Sequence, residues 1–248
     1  MPNGLNPKRR PAVRWAAFLV LLGGIGYIAY QALTLPQSPI PTAWNPVEPL
    51  RITDPVTPLT QWKLSNAVAS PEACLTVLGS QDADVRGRFR EGRVDSDKCF
   101  IRGRVDLTGI GAADIRKLET SCTIALRVAM WERHALQPAA QQLLGTSVAE
   151  IRQIGSYNCR EIRTTNGATG RMSTHATTDA IDVTGFVMAD GAKIDLLADW
   201  DGNDPKAQFL KSARDSACEW FRVTLGPDYN RLHADHFHLQ NTGWGLCR

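Results

Sequence analysis

The chain has 248 residues, 43% of them hydrophobic and 21% charged, which is material for one good-sized globular domain with appendages. Its formal charge of +3 is unevenly placed: Lys8, Arg9, Arg10 and Arg14 all precede the first acid, Glu48. Setting those four aside leaves −1 for the rest, which argues against a nucleic-acid partner for the domain.

Residues 1–14 are the basic flank, and residues 15–35 (WAAFLVLLGGIGYIAYQALTL) follow without a charge. At 1.5 Å per helical residue this run spans roughly 30 Å, the apolar thickness of a bilayer. Basic residues before it predict a single-pass signal-anchor in the inner membrane, with the C-terminal body in the periplasm. A cleaved signal peptide is the rival reading. The apolar run is long for one, and no clean A-x-A site follows. Residues 36–59 form a Pro-rich linker, with seven of the chain's 14 prolines between Pro36 and Pro58. That density favours extended chain and reads as a stalk.

Residues 60–248 read as one α+β unit without an internal repeat. Ser121 to Leu136 has helical apolar spacing, and a short helix follows from Pro138 to Leu144, with Gly145 as its stop. Val148 to Tyr157 alternates like a strand, and Ala180 to Val183 and Lys193 to Leu197 are short strand candidates. Asp204-Pro205 is a cap and first-position pair for a helix running to Gly226-Pro227. Phe237 to Gln240 closes the series as a strand. No phosphate-binding glycine motif appears, which disfavours a doubly wound nucleotide fold.

All six cysteines (Cys74, Cys99, Cys122, Cys159, Cys218, Cys247) lie beyond the linker, and an even count in an exported domain points to disulfides. Proximity along the chain favours Cys74–Cys99, Cys122–Cys159 and Cys218–Cys247. A four-cysteine zinc site is disfavoured because no C-x-x-C pair occurs.

Only five histidines occur, and three fall within His233-Ala234-Asp235-His236-Phe237-His238. Imidazole is the commonest metal ligand among side chains, so the cluster points to zinc. In an extended segment His236 and His238 share one face, and Phe237 and Leu239 the other. His175 and Asp182 are too far apart on a straight helix or strand to meet one ion, so residues 176–181 must reverse the chain if they share it. Two imidazoles and a carboxylate leave one tetrahedral position open, as in catalytic zinc sites. His134 stands alone on a helix and reads as structural.

Ser173-x-His175-(six)-Asp182 followed by His236-x-His238 resembles a superfamily of zinc peptidases. It includes D-Ala-D-Ala carboxypeptidases, the penicillin-insensitive murein endopeptidase and the hedgehog signalling domain. The stretch from Cys74 to Arg248 is still more similar to the bacterial extensin-like C-terminal family. That likeness rests on Gly155 to Arg160 (GSYNCR), the His175-Ala176 to Asp182-Val183 segment and Leu225 to Asn230 (LGPDYN). The resemblance implies a small, mostly antiparallel sheet flanked by helices and carrying Zn2+ on His175, Asp182 and His238. It implies Ser173 as a substrate contact. Arg160 suits a peptide carboxylate by its planar fork, and Tyr157 joins the substrate-binding candidates. Asp235 and His236 compete for the role of general base, with His233 in support. The sequence departs from the peptidase pattern at Thr178, where many relatives carry glycine.

These readings predict a zinc peptidase cutting amide bonds in peptidoglycan stem peptides or cross-links, as a carboxypeptidase or an endopeptidase. The competing expectation is a zinc-containing peptidoglycan-binding module without turnover.

Overall fold

The computed structural model describes residues 9–164 and 167–248. It opens with α1 (Arg9–Thr34), whose stretch Val13–Thr34 is long and apolar enough to cross a membrane and is exposed up to its last turn, where residues 31–33 are half-buried against the segment that follows. Two short helices, α2 (Thr60–Ala67) and α3 (Pro71–Leu78), lead into five strands: β1 (Val85–Phe89), β2 (Arg93–Ser96), β3 (Cys99–Ile101), β4 (Arg104–Ile110) and β5 (Ala113–Ser121). Next come α4 (Cys122–Trp131), a π turn (Glu132–Leu136) and α5 (Gln137–Leu144). The second half holds β6 (Val148–Gly155), β7 (Glu161–Thr164), β8 (Gly167–Met172), β9 (Ala180–Met188), β10 (Lys193–Asp195), α6 (Leu196–Asp199) and α7 (Pro205–Trp220). It ends with β11 (Val223–Leu225), β12 (Phe237–Gln240) and β13 (Leu246–Cys247).

The α+β class holds, but the sheet is not small. Nine strands join in the order β1-β4-β5-β6-β9-β12-β11-β13, with β10 also pairing β9. Pairing is mostly antiparallel; β5–β6 and β11–β13 are the parallel pairs. The strands before α4 add width that the reading of the sequence passed over. β1 is an exposed, arginine-rich edge with a glycine inside it, and such a strand gives a weak apolar signal.

Local signals place the helices. Ser121 Oγ accepts from Ile124 N–H and starts α4. The helix loosens into the π turn from Glu132, six residues ahead of Pro138, which has no N–H to offer and whose ring would crowd the carbonyl of His134 in a regular helix. Gly145 stops α5 in the left-handed conformation at φ 67°. Asp204 caps α7 through Ala207 N–H at 2.9 Å. That helix ends at Trp220, short of Gly226, because Val223–Leu225 is drawn into pairing with β12.

Helices α4, α5 and α7 pack together and enclose Trp131, Phe186 and Phe209, with Phe186–Phe209 ring centroids 5.2 Å apart. Trp131 Nε1 donates to Ala213 O at 3.2 Å, so the buried indole is satisfied. His134 stacks on Trp220 and donates to Ile52 O at 2.9 Å, a structural place.

Residues 36–58 do not stand free as an extended stalk. Leu50 and Ile52 are buried in the core, and Thr42 Oγ1 donates to Asp54 Oδ1 at 2.7 Å. Thr57 Oγ1 donates to Ala43 O at 3.0 Å. Two apolar anchors between the prolines suffice to fold the segment back as a strap.

Two of the three disulfides differ from the expectation from chain proximity. The bonds are Cys74–Cys122, Cys99–Cys159 and Cys218–Cys247. The strands β1 to β5 return the chain so that α4 begins against α3, and the β2–β3 hairpin lies over the turn after β6. Neighbours in space are here not neighbours in sequence.

Candidate metal centre

Asp182 and His238 are directly opposite each other in the antiparallel β9–β12 pair, so their side chains leave the sheet on the same face. His175 reaches them from a 3-10 turn (Thr174–Thr177) that reverses the chain, as the spacing required. The turn closes at Thr178, which is buried with φ 53°. This is the left-handed conformation in which glycine is at ease; the threonine holds it with its carbonyl accepting from Ser121 Oγ at 2.8 Å.

The two imidazole nitrogens and the two oxygens of the Asp182 carboxylate converge. His175 Nε2 is 3.2 Å from Asp182 Oδ2, His238 Nδ1 is 2.9 Å from Asp182 Oδ1, and the two imidazole nitrogens are 3.2 Å apart. Donors around a tetrahedral ion with bonds near 2.0–2.1 Å sit about 3.3 Å from one another, so the spacing fits.

The outer partners fix the tautomers. His175 Nδ1–H donates to the carbonyl of Ser156 at 3.0 Å, since a carbonyl only accepts. Gln240 Nε2 donates to Thr242 O at 2.6 Å, which turns its Oε1 toward His238 Nε2–H at 3.2 Å. As neutral imidazoles, both histidines therefore aim lone pairs inward. Burial alone would raise the pKa of Asp182; when His175 and His238 carry protons on their inward nitrogens, their hydrogen bonds and charge outweigh that and hold the carboxyl well below the usual carboxylate range. Two lone pairs facing a buried carboxylate call for a positive charge between them, which a cation or added protons supply. The group could hold a metal ion, and its N2O donor set suits zinc among others.

The remaining candidates surround this group. His236 Nδ1–H donates to Asp235 Oδ1 at 2.8 Å, and its Nε2 lies 3.8 Å from Asp182 Oδ1. Asp235 does not itself line the cleft. Strand β12 starts at Phe237, and the exposed Asp235 carboxylate orients His236 from outside. His233 Nδ1–H donates to Asn230 Oδ1 at 2.8 Å, and its ring lies 5.2 Å from that of His236. Burial, with the nearby His236 and His238 adding, pushes His233 down to about 4, so it is neutral at physiological pH.

A cleft of about 610 Å³ opens over the centre. Beside the His–Asp–His group it is lined by Arg160, Ile162, Arg163, Ser173, Leu225, Tyr229, Leu232 and His233. Ser173 Oγ accepts from His175 N–H at 3.3 Å, so it caps the turn as well as lining the cleft. Arg160 donates to Glu161 O at 3.1 Å. Tyr157 is not in the cleft. Its hydroxyl is bonded to Asp95 and its ring lies 4.9 Å beneath the Arg93 guanidinium, because the β2–β3 hairpin captures it as soon as β6 ends. Gln240 and Arg163 carry no site expectation from the sequence, and Tyr229 and Asn230 enter there only as part of the LGPDYN segment, without a role at the site. Gln240 was within reach, two residues after His238 on one strand face.

The model of the family described as extensin-like protein C-terminus matches residues 72–248. The chain belongs to the extensin-like C-terminal family. No curated protein and no solved structure matches it. The extensin-like domain contains the whole His–Asp–His group, the cleft and all six cysteines, while α1 and the strap precede it.

Proposed function

We propose that this protein is a membrane-anchored periplasmic zinc metallopeptidase that hydrolyses amide bonds in peptidoglycan peptides. The observation that carries the reading is the tautomer arrangement: Ser156 and Gln240 commit the outer nitrogens of His175 and His238, leaving two inward lone pairs beside an ionised Asp182. The apolar α1 and the three disulfides support an exported, membrane-tethered location.

His175 Nε2, His238 Nδ1 and the Asp182 carboxylate would hold the ion. Bound there, zinc supplies Lewis-acid polarisation of the scissile carbonyl and acidifies water. His236 Nε2, bare because Nδ1–H is committed to Asp235, accepts the proton of the attacking water and returns it to the leaving amine. His233, held neutral, stands beside it to orient that water or relay the proton. Arg160 and Arg163 lining the cleft have no acidic partner among the described residues and are free to take a peptide carboxylate.

The test pairs metal analysis with a muropeptide digest of the zinc-loaded protein. About one zinc per chain and new products in the chromatogram are expected. A protein that takes up no stoichiometric metal and leaves sacculi of several types unchanged would falsify the reading. Zinc uptake with sacculus binding and no product would leave a binding module in its place.

A further inference from the structure

We propose that the exposed tryptophans Trp44 and Trp62, with Val47, seat the domain on the interface of the membrane that α1 crosses. The inference rests on reading α1 as an uncleaved anchor. The helix does not hand over to a loose tether. Its last-turn carbonyls are taken by the strap: Ser38 Oγ donates to Ala32 O at 2.6 Å, and Asn45 Nδ2 to Leu33 O at 2.9 Å. Asn45 is fully buried, so this joint is part of the fold. Lys63 of α2 closes the next link by donating to Thr42 O at 2.5 Å.

Trp44 therefore sits one residue from a side chain bonded to the end of the apolar helix, where a spanning helix leaves the hydrocarbon. It is 54% exposed, Val47 59% and Trp62 48%. Val47 and Trp62 border one apolar groove with Pro46, Leu50 and Ala67. Large indole rings left in water beside a membrane exit match the aromatic belt at bilayer interfaces, where the ring is apolar and its N–H stays wet. The occupant is thus the lipid surface itself, continuous with the helix that delivers the domain to it. The joint between helix and strap sets the height and orientation of the catalytic cleft, in place of a stalk's free reach.

The test uses the full chain in vesicles of equal parts phosphatidylcholine and phosphatidylglycerol, with a fraction of the lipid brominated high on the acyl chain. Flotation checks the anchor; a chain that does not float with the vesicles removes the anchor and this proposal together. For a chain that floats, Trp44→Phe with Trp62→Phe is expected to remove roughly two-thirds of the lipid-quenched emission, since Trp15 alone remains in lipid. Unchanged quenching overturns the proposal and leaves the anchor standing. Hydroxyl-radical footprinting of the unmodified chain in the same vesicles needs no variant. Trp244 is 103% exposed, so exposure alone gives it about twice the modification of Trp44 or Trp62. Interface seating raises that ratio to roughly five-fold or more, and a ratio near two sinks it.

Discussion

Asp235 Oδ1 lies 2.8 Å from His236 Nδ1, and this contact decides which nitrogen of His236 faces the centre. The carboxylate can only accept, so the proton sits on Nδ1 and Nε2 is left bare toward Asp182. Asp235 is three-fifths exposed and cannot supply much binding energy through its charge alone. In the proposed hydrolysis its work would be orientation.

That division of labour gives a prediction for the proposed hydrolysis. His236→Ala should lower kcat by about 10²- to 10⁴-fold, the usual worth of a positioned acid–base group. Asp235→Ala should cost less, roughly ten- to a hundredfold, with zinc affinity nearly unchanged. Because one residue acts through the other, the double variant should be no slower than His236→Ala. Steady-state rates of the four proteins check this; an additive double variant would show that Asp235 acts independently.

Gln240 offers a second test, away from the reacting atoms. Its Oε1 holds His238 in the tautomer that presents Nδ1, and Thr174 Oγ1 adds a hydrogen bond to the same oxygen at 3.1 Å. Removing such an outer partner costs roughly ten- to a hundredfold in metal affinity. Gln240→Ala should raise the zinc Kd by that factor in a chelator competition. Gln240→Glu, which keeps the acceptor, should recover most of it. Equal losses in both variants would deny the tautomer role.

How far the centre could be read from the sequence follows from what holds each part. Phe237 to Gln240, Asp204-Pro205 and Gly145 are set by local chemistry, and the structure puts a strand, a cap and a helix stop there. The grouping of His175, Asp182 and His238 came from the resemblance to the zinc peptidases; the separation of His175 from Asp182 added that the chain must reverse if they share an ion. Which of Asp235 and His236 faces the group was not legible, because it depends on β12 beginning one residue after His236. The strap and two disulfides escaped for a related reason. Leu50 and Ile52 look like stray apolar residues among prolines until α2 and α3 are in place. Cys122 meets Cys74 only after β1 to β5 have brought the chain back.

His233 makes a prediction about pH. Its folded-state pKa, about 4, lies below the ordinary imidazole value near 6.5. The unfolded chain therefore binds the proton more readily, and the stability due to neutral His233 is complete above about 6.5 and lost as pH falls toward about 4. Asp182, also depressed, adds its loss at lower pH, below the ordinary carboxylate range. Urea midpoints of the chelator-treated protein should thus decline across the first window, and His233→Gln should flatten that decline. A wild-type midpoint that holds level from pH 6.5 to about 4 contradicts the neutral, buried imidazole.

The Cys74–Cys122 bond closes a separation of 48 residues, which takes in all of β1 to β5. In the chain-entropy account a loop of that size is worth several kcal/mol, and removal of a native disulfide from an exported domain typically costs about 2–5 kcal/mol. Both sulfurs are buried against the core, so the paired change Cys74→Ala with Cys122→Ala also leaves space where they packed. The pair stands where α3 meets α4; neither cysteine belongs to the ligand group or lines the cleft, and the nearest link is Ser121, beside Cys122, which donates to Thr178 O. The double variant should therefore lose on the order of 2–5 kcal/mol in denaturant unfolding while the zinc Kd of the folded protein moves less than about tenfold. A large loss of zinc affinity in the folded state, with little loss of stability, would mean that this bond shapes the centre and does not mainly restrain the unfolded chain.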